Sequence, residues 1–312
     1  MINSLGKISI IGAGNVGTSL AQRLAEKGYG DIVLLDIIEG LPQGKALDIL
    51  QSAPILNFHS RLIGTNDYRD TAGSDVVIVT SGAGRKPGMT RDELLKTNMA
   101  IVSEVTRSIV AHSPGGIIIM VTNPVDAMTY LALRENRLLR GRVLGLSGVL
   151  DSARLSGFIA AELNVPASGV SAFVLGEHGQ NMVVISRLAT VKGTPLTEIL
   201  PQETINRLVG RTINGGAEIV SLLRTGSAFY APSAAAARIV EAIVLDKKEV
   251  LPCAAYLKGE YGIKDAVIGV PVKLGKSGIE EIIELELTNE EKKALQSSAE
   301  AMKQLVETMG LG

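Results

Sequence analysis

The sequence predicts an α/β protein in which an N-terminal doubly wound parallel sheet is followed by a C-terminal α+β domain. Three observations carry this. In the first half, short runs rich in Val, Ile and Leu alternate with longer amphipathic segments. Near residue 145 the alternation gives way to longer helices and mixed strands. Hydrophobic residues make up 46% of the 312 and charged residues 20%, a balance that buries a core and excludes a disordered chain. At about 150 residues per domain the length fits two, expected at residues 1–145 and 146–312.

Residues 7–11, 31–36, 75–80 and 116–121 read as strands. Their near-continuous apolar character suits a parallel sheet covered on both faces. Between them, residues 15–27, 41–52 and 91–111 have helical length and spacing, and parallel strands need such crossovers. The second half predicts a helix over 151–163, mixed strands over 171–191, and helices over 202–223 and 231–244. Strands follow at 266–274 and 279–285, then a helix opened by Thr288 with Glu291 three residues on, a capping box, and stopped by Gly310. No repeat or Pro-rich linker separates the halves, so close packing between them is expected.

Composition excludes several function classes. Thirty-one basic residues against 32 acidic ones leave a net charge of −1, without the excess that favours nucleic acid or an anionic membrane. Aromatics at 3%, with no Trp, argue against a stacking platform for single strands. The longest uncharged stretch, residues 108–125, is broken by Pro114, Gly115, Gly116 and Pro124 and is no membrane span. The one cysteine, Cys253, excludes an intrachain disulfide framework. A short apolar run after Lys7 lacks the extent of a signal peptide. A cytoplasmic location is the expectation, with no nucleic acid or membrane partner. No His, Cys and carboxylate cluster has ligand spacing, so no metal is expected. Neither a nucleophile elbow nor a Walker loop is present.

The first chemical signal is Gly12-Ala13-Gly14-Asn15-Val16-Gly17, a Gly-x-Gly-x-x-Gly loop between predicted strand and helix. Gly12 would make the tight turn, Gly14 would admit a pyrophosphate, and Gly17 would let helix and strand pack closely. Alone, the loop also fits a ligand-free turn. Asp36, 19 residues after Gly17 at a predicted strand end, adds a carboxylate for adenosine ribose hydroxyls. Its charge repels a 2′-phosphate, which favours NAD over NADP. The other reading of Asp36 is a solvated strand-end acid.

A second signal is the glycine-rich segment 81–90, whose composition suggests a lid. Arg85 and Arg91 would present two fixed forks of donors to a small anion, or form part of a solvated basic loop. Of His59, His112 and His178, only His178 has neighbours suited to chemistry, in Gly176-Glu177-His178-Gly179-Gln180. An imidazole there suits general acid/base work if a partner fixes its tautomer. Asp151 is the leading candidate, with Arg154 three positions on and on the same helix face. The alternatives are a structural histidine, a helix N-cap at Asp151 and an arginine that merely pairs with that acid. His59 and His112 read as surface or loop residues.

These residues resemble the lactate/malate dehydrogenase family along essentially the whole chain. The resemblance rests on six motifs in family order: the loop at 12–17, Asp36, segment 85–91, Thr122-Asn123-Pro124-Val125-Asp126, Leu150-Asp151-Ser152-Ala153-Arg154, and Gly176-Glu177-His178-Gly179. It implies a Rossmann domain binding NAD through Gly12, Gly14, Asn15, Gly17, Asp36, Asn98, Val121 and Asn123. It implies that His178 exchanges the substrate hydroxyl proton while Asp151 orients it. Arg154 would grip the C1 carboxylate, Arg91 polarise the carbonyl, and Asn123 sit beside nicotinamide and hydroxyl. Members acting on malate carry arginine where Arg85 stands, whereas those acting on lactate usually carry glutamine. The implied substrate pair is therefore malate and oxaloacetate, within the lactate-dehydrogenase-like malate branch that Thr225-Gly226-Ser227-Ala228 also resembles. Ser227 falls near the substrate end. Relatives often have proline at Gly84 and an acid at Gln180; this chain departs from both. The branch implies a homo-oligomer, a tetramer before a dimer, and the Ala-rich stretch 233–237 allows close packing against a neighbour or its own core.

The substrate expectation hinges on one charge. Arg85→Gln is expected to lower the ratio of kcat/KM for oxaloacetate to that for pyruvate, measured by NADH oxidation; an unchanged ratio removes the reason for naming malate.

Overall fold

The computed structural model describes residues 6–84 and 90–311, with only the backbone of Arg91. The first half comprises β1 (Lys7–Ile11), α1 (Asn15–Lys27), β2 (Asp31–Leu35), α2 (Leu41–Leu56), β3 (Leu62–Thr65), β4 (Val76–Val79), α3 (Arg91–His112), β5 (Ile117–Met120), α4 (Val125–Glu135) and β6 (Val143–Gly145). Its six strands run parallel in the order β3-β2-β1-β4-β5-β6. The doubly wound fold follows from the pleat, since successive side chains of a strand point to opposite faces. Val76 and Ile78 of β4 join one core with Leu20 and Leu24 of α1, while Val77 and Val79 join another with Leu95 and Val102 of α3. Both faces are thus apolar, and full burial of each such side chain is worth about 1.5–3 kcal/mol.

The second half comprises α5 (Gly148–Leu163), β7 (Val170–Ser171), β8 (Val174–Gly176), β9 (Met182–Val184), β10 (Thr190–Val191), β11 (Thr194–Pro195), α6 (Leu196–Ile199), α7 (Gln202–Leu223), α8 (Tyr230–Val244), β12 (Glu249–Lys258), β13 (Lys264–Gly275), β14 (Gly278–Ile282) and α9 (Asn289–Thr308). β12 pairs antiparallel with β6, Ala254 opposite Gly145, and the sheet continues β12-β13-β8-β9 with β14 on β13. One sheet therefore spans both halves, which meets the expectation of close packing. β7, β10 and β11 form a small sheet of their own.

The Ala-rich stretch packs inward. Ser233, Ala236 and Ala237 are buried in α8, which lies against α1, and Arg23 Nε donates to Ser233 Oγ at 3.2 Å. The strand expected to reach 285 stops at Ile282, because the Leu285 N–H turns to the Tyr261 hydroxyl at 2.9 Å instead. His112 is no loop residue: it closes α3 and stacks on Tyr68. His59 is exposed. Among the described residues, no helix is long and apolar enough to cross a membrane, and no group of three or more His, Cys, Asp or Glu could hold a metal ion.

The capping box on α9 is present in both directions: Glu291 N–H donates to Thr288 Oγ1 at 3.2 Å and Thr288 N–H to Glu291 Oε2 at 2.9 Å. Thr288→Ala is expected to cost about 0.5–2 kcal/mol of stability, measured by urea unfolding; a wild-type midpoint and slope would show that the cap contributes nothing.

Candidate active site

A cleft of about 660 Å³ opens beyond the C-terminal ends of β1, β4 and β5, bordered by Gly82, Asn98, Asn123, Arg154, His178 and Ser227. The strand order reverses between β1 and β4, and in open α/β sheets ligands settle at such a reversal.

The glycine loop reaches the cleft through Val16. Gly12 has φ +111°, a left-handed value that disfavours side chains. A Cβ on Gly17 would lie 1.9 Å from the Gly12 carbonyl oxygen, so α1 approaches β1 this closely only with glycine there. Nothing lies within 4 Å of a Cβ built on Gly14, which leaves its backbone open to a ligand at the N-terminus of α1, with Asn15 exposed beside it. Asp36 follows β2, and its carboxylate accepts the N–H groups of Ala13 at 2.7 Å and Ile38 at 3.0 Å. The acid is thereby tied to the glycine loop, 23 residues away in sequence. The loop's backbone, the helix N-terminus and this carboxylate are the groups a dinucleotide requires.

Asn98 is buried and faces the protein more than the cleft. Its Oδ1 accepts the Ala83 N–H at 2.7 Å, and its Nδ2 donates to the Asn123 carbonyl at 2.9 Å. It therefore joins the segment after β4 to the turn before α4. Val121 lines the cleft and the Asn123 residue is exposed to it. Thr122 Oγ1 adds a bond to the Ser81 carbonyl at 2.6 Å.

Opposite stands the titratable group. Asp151, in the first turn of α5, is 1% exposed, and its two oxygens are divided: Oδ2 meets His178 Nδ1 at 2.7 Å, and Oδ1 accepts from Arg154 Nη1 at 2.9 Å. A buried carboxylate is tolerated when paired in this way. With the Nδ1 proton facing Asp151, His178 presents Nε2 as a proton acceptor. Burial pulls the His178 pKa down, but the charge and hydrogen bond of Asp151, helped by Asp126 and opposed by Arg154, leave it above the ordinary 6.5. Arg154 Nε has no hydrogen-bond partner among the described residues, so the guanidinium keeps donors for an anion.

The loop bearing His178 is held from two sides. Gly176, at φ +83°, turns the chain out of β8, and the Glu177 N–H donates to Ser298 Oγ of α9 at 2.7 Å. The His178 N–H donates to Asp126 Oδ2 of α4 at 2.8 Å. Ser298 and this contact of Asp126 were not legible in the sequence, nor were Gly215 and Gly216 of α7. A Cβ on Gly215 would stand 3.3 Å from Arg154 Cδ, so the paired glycines make room for that side chain. A Gly-Gly pair inside an otherwise regular helical pattern was the available signal. Arg85 and most of the expected lid, residues 85–89, lie outside the described residues. Arg91 occupies the first position of α3, after a Thr90/Glu93 capping box. Gly84 and Gln180 both border the cleft.

Comparison with known proteins places this geometry. Residues 6–145 match the lactate/malate dehydrogenase NAD binding domain and residues 148–310 the family's alpha/beta C-terminal domain. The chain belongs to the lactate/malate dehydrogenase family. It is accordingly an NAD-dependent oxidoreductase. Within the family it is 55% identical over 305 residues to a malate dehydrogenase of Dehalococcoides mccartyi (strain CBDB1), covering 98% of this chain and 99% of that protein. The apo malate dehydrogenase of Picrophilus torridus superposes with a TM-score of 0.94 at 45% identity, over 97% and 96% of the two chains. A Cryptosporidium parvum lactate dehydrogenase, complexed with lactic acid and β-nicotinamide adenine dinucleotide, gives 0.95 at 40% over all of both chains. The family fold thus accommodates either substrate.

The paired carboxylate accounts for the raised His178 pKa. Asp151→Asn is expected to move the His178 titration midpoint down, followed by NMR of the imidazole, and to cut turnover by about 10²–10⁴-fold, the usual weight of general acid/base catalysis. An unmoved midpoint would sink the electrostatic account.

Proposed function

We propose that this chain catalyses the reversible NAD-dependent oxidation of (S)-malate to oxaloacetate. The observation that carries the reading is the His178–Asp151–Arg154 constellation, a proton acceptor, its orienting acid and a carboxylate-binding fork in one cleft.

Gly12, Gly14, Asn15, Gly17, Asp36, Asn98, Val121 and Asn123 would hold the dinucleotide, Asn98 also bracing Asn123 through its carbonyl. When bound, NAD supplies the hydride acceptor. The chain's own residues do the rest. Neutral His178 takes the C2 hydroxyl proton on Nε2, and the resulting imidazolium is stabilised by Asp151 2.7 Å from Nδ1. Arg154 binds the C1 carboxylate with donors not used on Asp151. Arg91 polarises the developing carbonyl, and Arg85 pairs with the second carboxylate. Relatives named malate dehydrogenase at 50–55% identity support malate over lactate, together with the arginine at position 85. Excluding water from such a site strengthens each of these charge interactions.

The reading extends to assembly as a homo-oligomer in the cytoplasm, a tetramer before a dimer. Large apolar side chains left in solvent support association, among them Ile37 at 90%, Ile55 at 83% and Leu222 at 76% exposed.

The test is NADH oxidation with oxaloacetate and pyruvate side by side, repeated with NADPH. Strong preference for oxaloacetate with NADH is expected. Preference for pyruvate would overturn the substrate, and silence with both would leave a nucleotide-binding protein without this activity. The sign of the pH dependence follows from the raised His178 pKa. Malate oxidation needs the neutral imidazole, so its kcat/KM rises as pH passes upward through that value. Oxaloacetate reduction needs the imidazolium and falls over the same interval.

A further inference from the structure

A second cleft, of about 420 Å³, shares no residue with the first. Leu133, Arg134, Arg137 and Arg140, from the end of α4 and the turn after it, border it on one side, and Tyr256 and Lys258 of β12 on the other. The two halves of the chain thus bring four cations to one concavity. Two of these have a role in the protein. Arg140 Nη1 donates to Glu260 Oε1 at 2.8 Å. Arg134 stands over the Tyr130 ring, 4.0 Å from Asp265, in the last turn of α4 where a cation complements the helix dipole. The side chains of Arg137 and Lys258 have no hydrogen bond or ion pair among the described residues. Glu260 and Asp265, the acids that meet the other two cations, are also occupied elsewhere. Glu260 Oε2 accepts the Lys258 main-chain N–H at 2.6 Å, and Asp265 Oδ1 accepts the hydroxyls of Tyr256 at 2.7 Å and Tyr130 at 3.2 Å.

Arg137 stands where a helix stop ordinarily has no side chain. α4 ends in a Schellman motif, with the Leu138 N–H donating to the Leu133 carbonyl at 3.1 Å and the Arg137 N–H to the Arg134 carbonyl at 3.4 Å. The residue just past the cap then takes a left-handed conformation, here φ +50°, and is usually glycine because a Cβ is disfavoured there. Stopping the helix accounts for this backbone and leaves an unpartnered guanidinium at the cleft unexplained.

We propose that this cleft is an anion site, separate from the active site, for a compact diphosphate or longer phosphate chain. Two uncompensated cations call for a ligand that carries at least two negative charges close together. The guanidinium fork of Arg137 matches phosphate oxygens in pairs, and the Lys258 ammonium meets them as a point charge. The volume falls within the range of about 300–1,000 Å³ usual for small-molecule sites. Leucines and one tyrosine supply the only apolar lining, too little for a hydrophobic ligand. The site stands independently of the malate reading, since it requires no turnover.

The test is isothermal titration calorimetry of the full chain with inorganic pyrophosphate, in magnesium-free buffer. Saturating NADH is present throughout, so that the dinucleotide's own pyrophosphate site is filled. One pyrophosphate per chain is expected, weakened about 10- to 100-fold by Arg137→Gln and by Lys258→Gln, the range for losing a hydrogen bond to a charged group. Arg142→Gln removes the same charge from the same stretch of chain but outside the cleft, and is expected to bind as the wild type does. Repeating the titration with ADP distinguishes two sources of the anion: equal affinity marks a free diphosphate and tighter binding a nucleotide, each lost with Arg137→Gln. Absence of binding, binding that both cleft variants retain, or an equal loss in Arg142→Gln would overturn the proposal. If one cleft variant does not fold, the other decides, because the two lie on different segments. Wild-type protein silent toward malate would sink the dehydrogenase reading and leave this result standing, because the titration reads binding alone.

Discussion

The buried charge of Asp151 is the constraint around which the site is arranged. At 1% exposure, its charge is compensated by a partner on each oxygen, and removing one partner of such a buried pair costs about 3–5 kcal/mol. That demand brings together three separate stretches of chain. α5 delivers the acid and Arg154 one turn apart, so their pairing is local. The His178 loop must be carried in from β8, and it is fastened at Glu177 by α9 and at His178 by α4. α7 then needs small residues where it passes Arg154, and Gly215 and Gly216 supply them. One buried charge thus bears on the composition of three further helices, α4, α7 and α9.

Much of this was legible in the chain, because local chemistry leaves local marks. α1 and α7 have the bounds that helical spacing predicts, and the glycine loop, Asp36 and the Thr288 box lie where their residue types require them. Four elements left weaker marks. β3 and β6 are only four and three residues long, shorter than a periodic signal needs. β12 carries Pro252 and Ala254-Ala255, which do not read as a central strand. α4 follows Asn123-Pro124 and is buried on nearly all sides, so it lacks the polar face that marks an amphipathic helix.

The site shows the same division. His178, Asp151 and Arg154 were identified as candidates, and the structure brings them into contact. What the sequence could not indicate were contacts between residues far apart in the chain, such as Asp126 with His178 or Ser298 with Glu177. Asn98 illustrates the difference between lining a cleft and facing it, since its amide is committed to Ala83 and Asn123. Substrate choice is a further case. A backbone that superposes equally well on a malate and a lactate dehydrogenase leaves specificity to individual side chains.

The pairing of β6 with β12 has a consequence for how this chain can be divided. The cleft borders residues from both halves, but the sheet beneath it is continuous through Gly145 and Ala254. A fragment ended after β6 would present a bare strand edge, and the complementary fragment would present another at β12. Unpaired edges of that kind recruit other chains. The halves are therefore not interchangeable cassettes. A graft of one onto a foreign partner would have to reproduce the register at this seam before any question of cofactor or substrate arose.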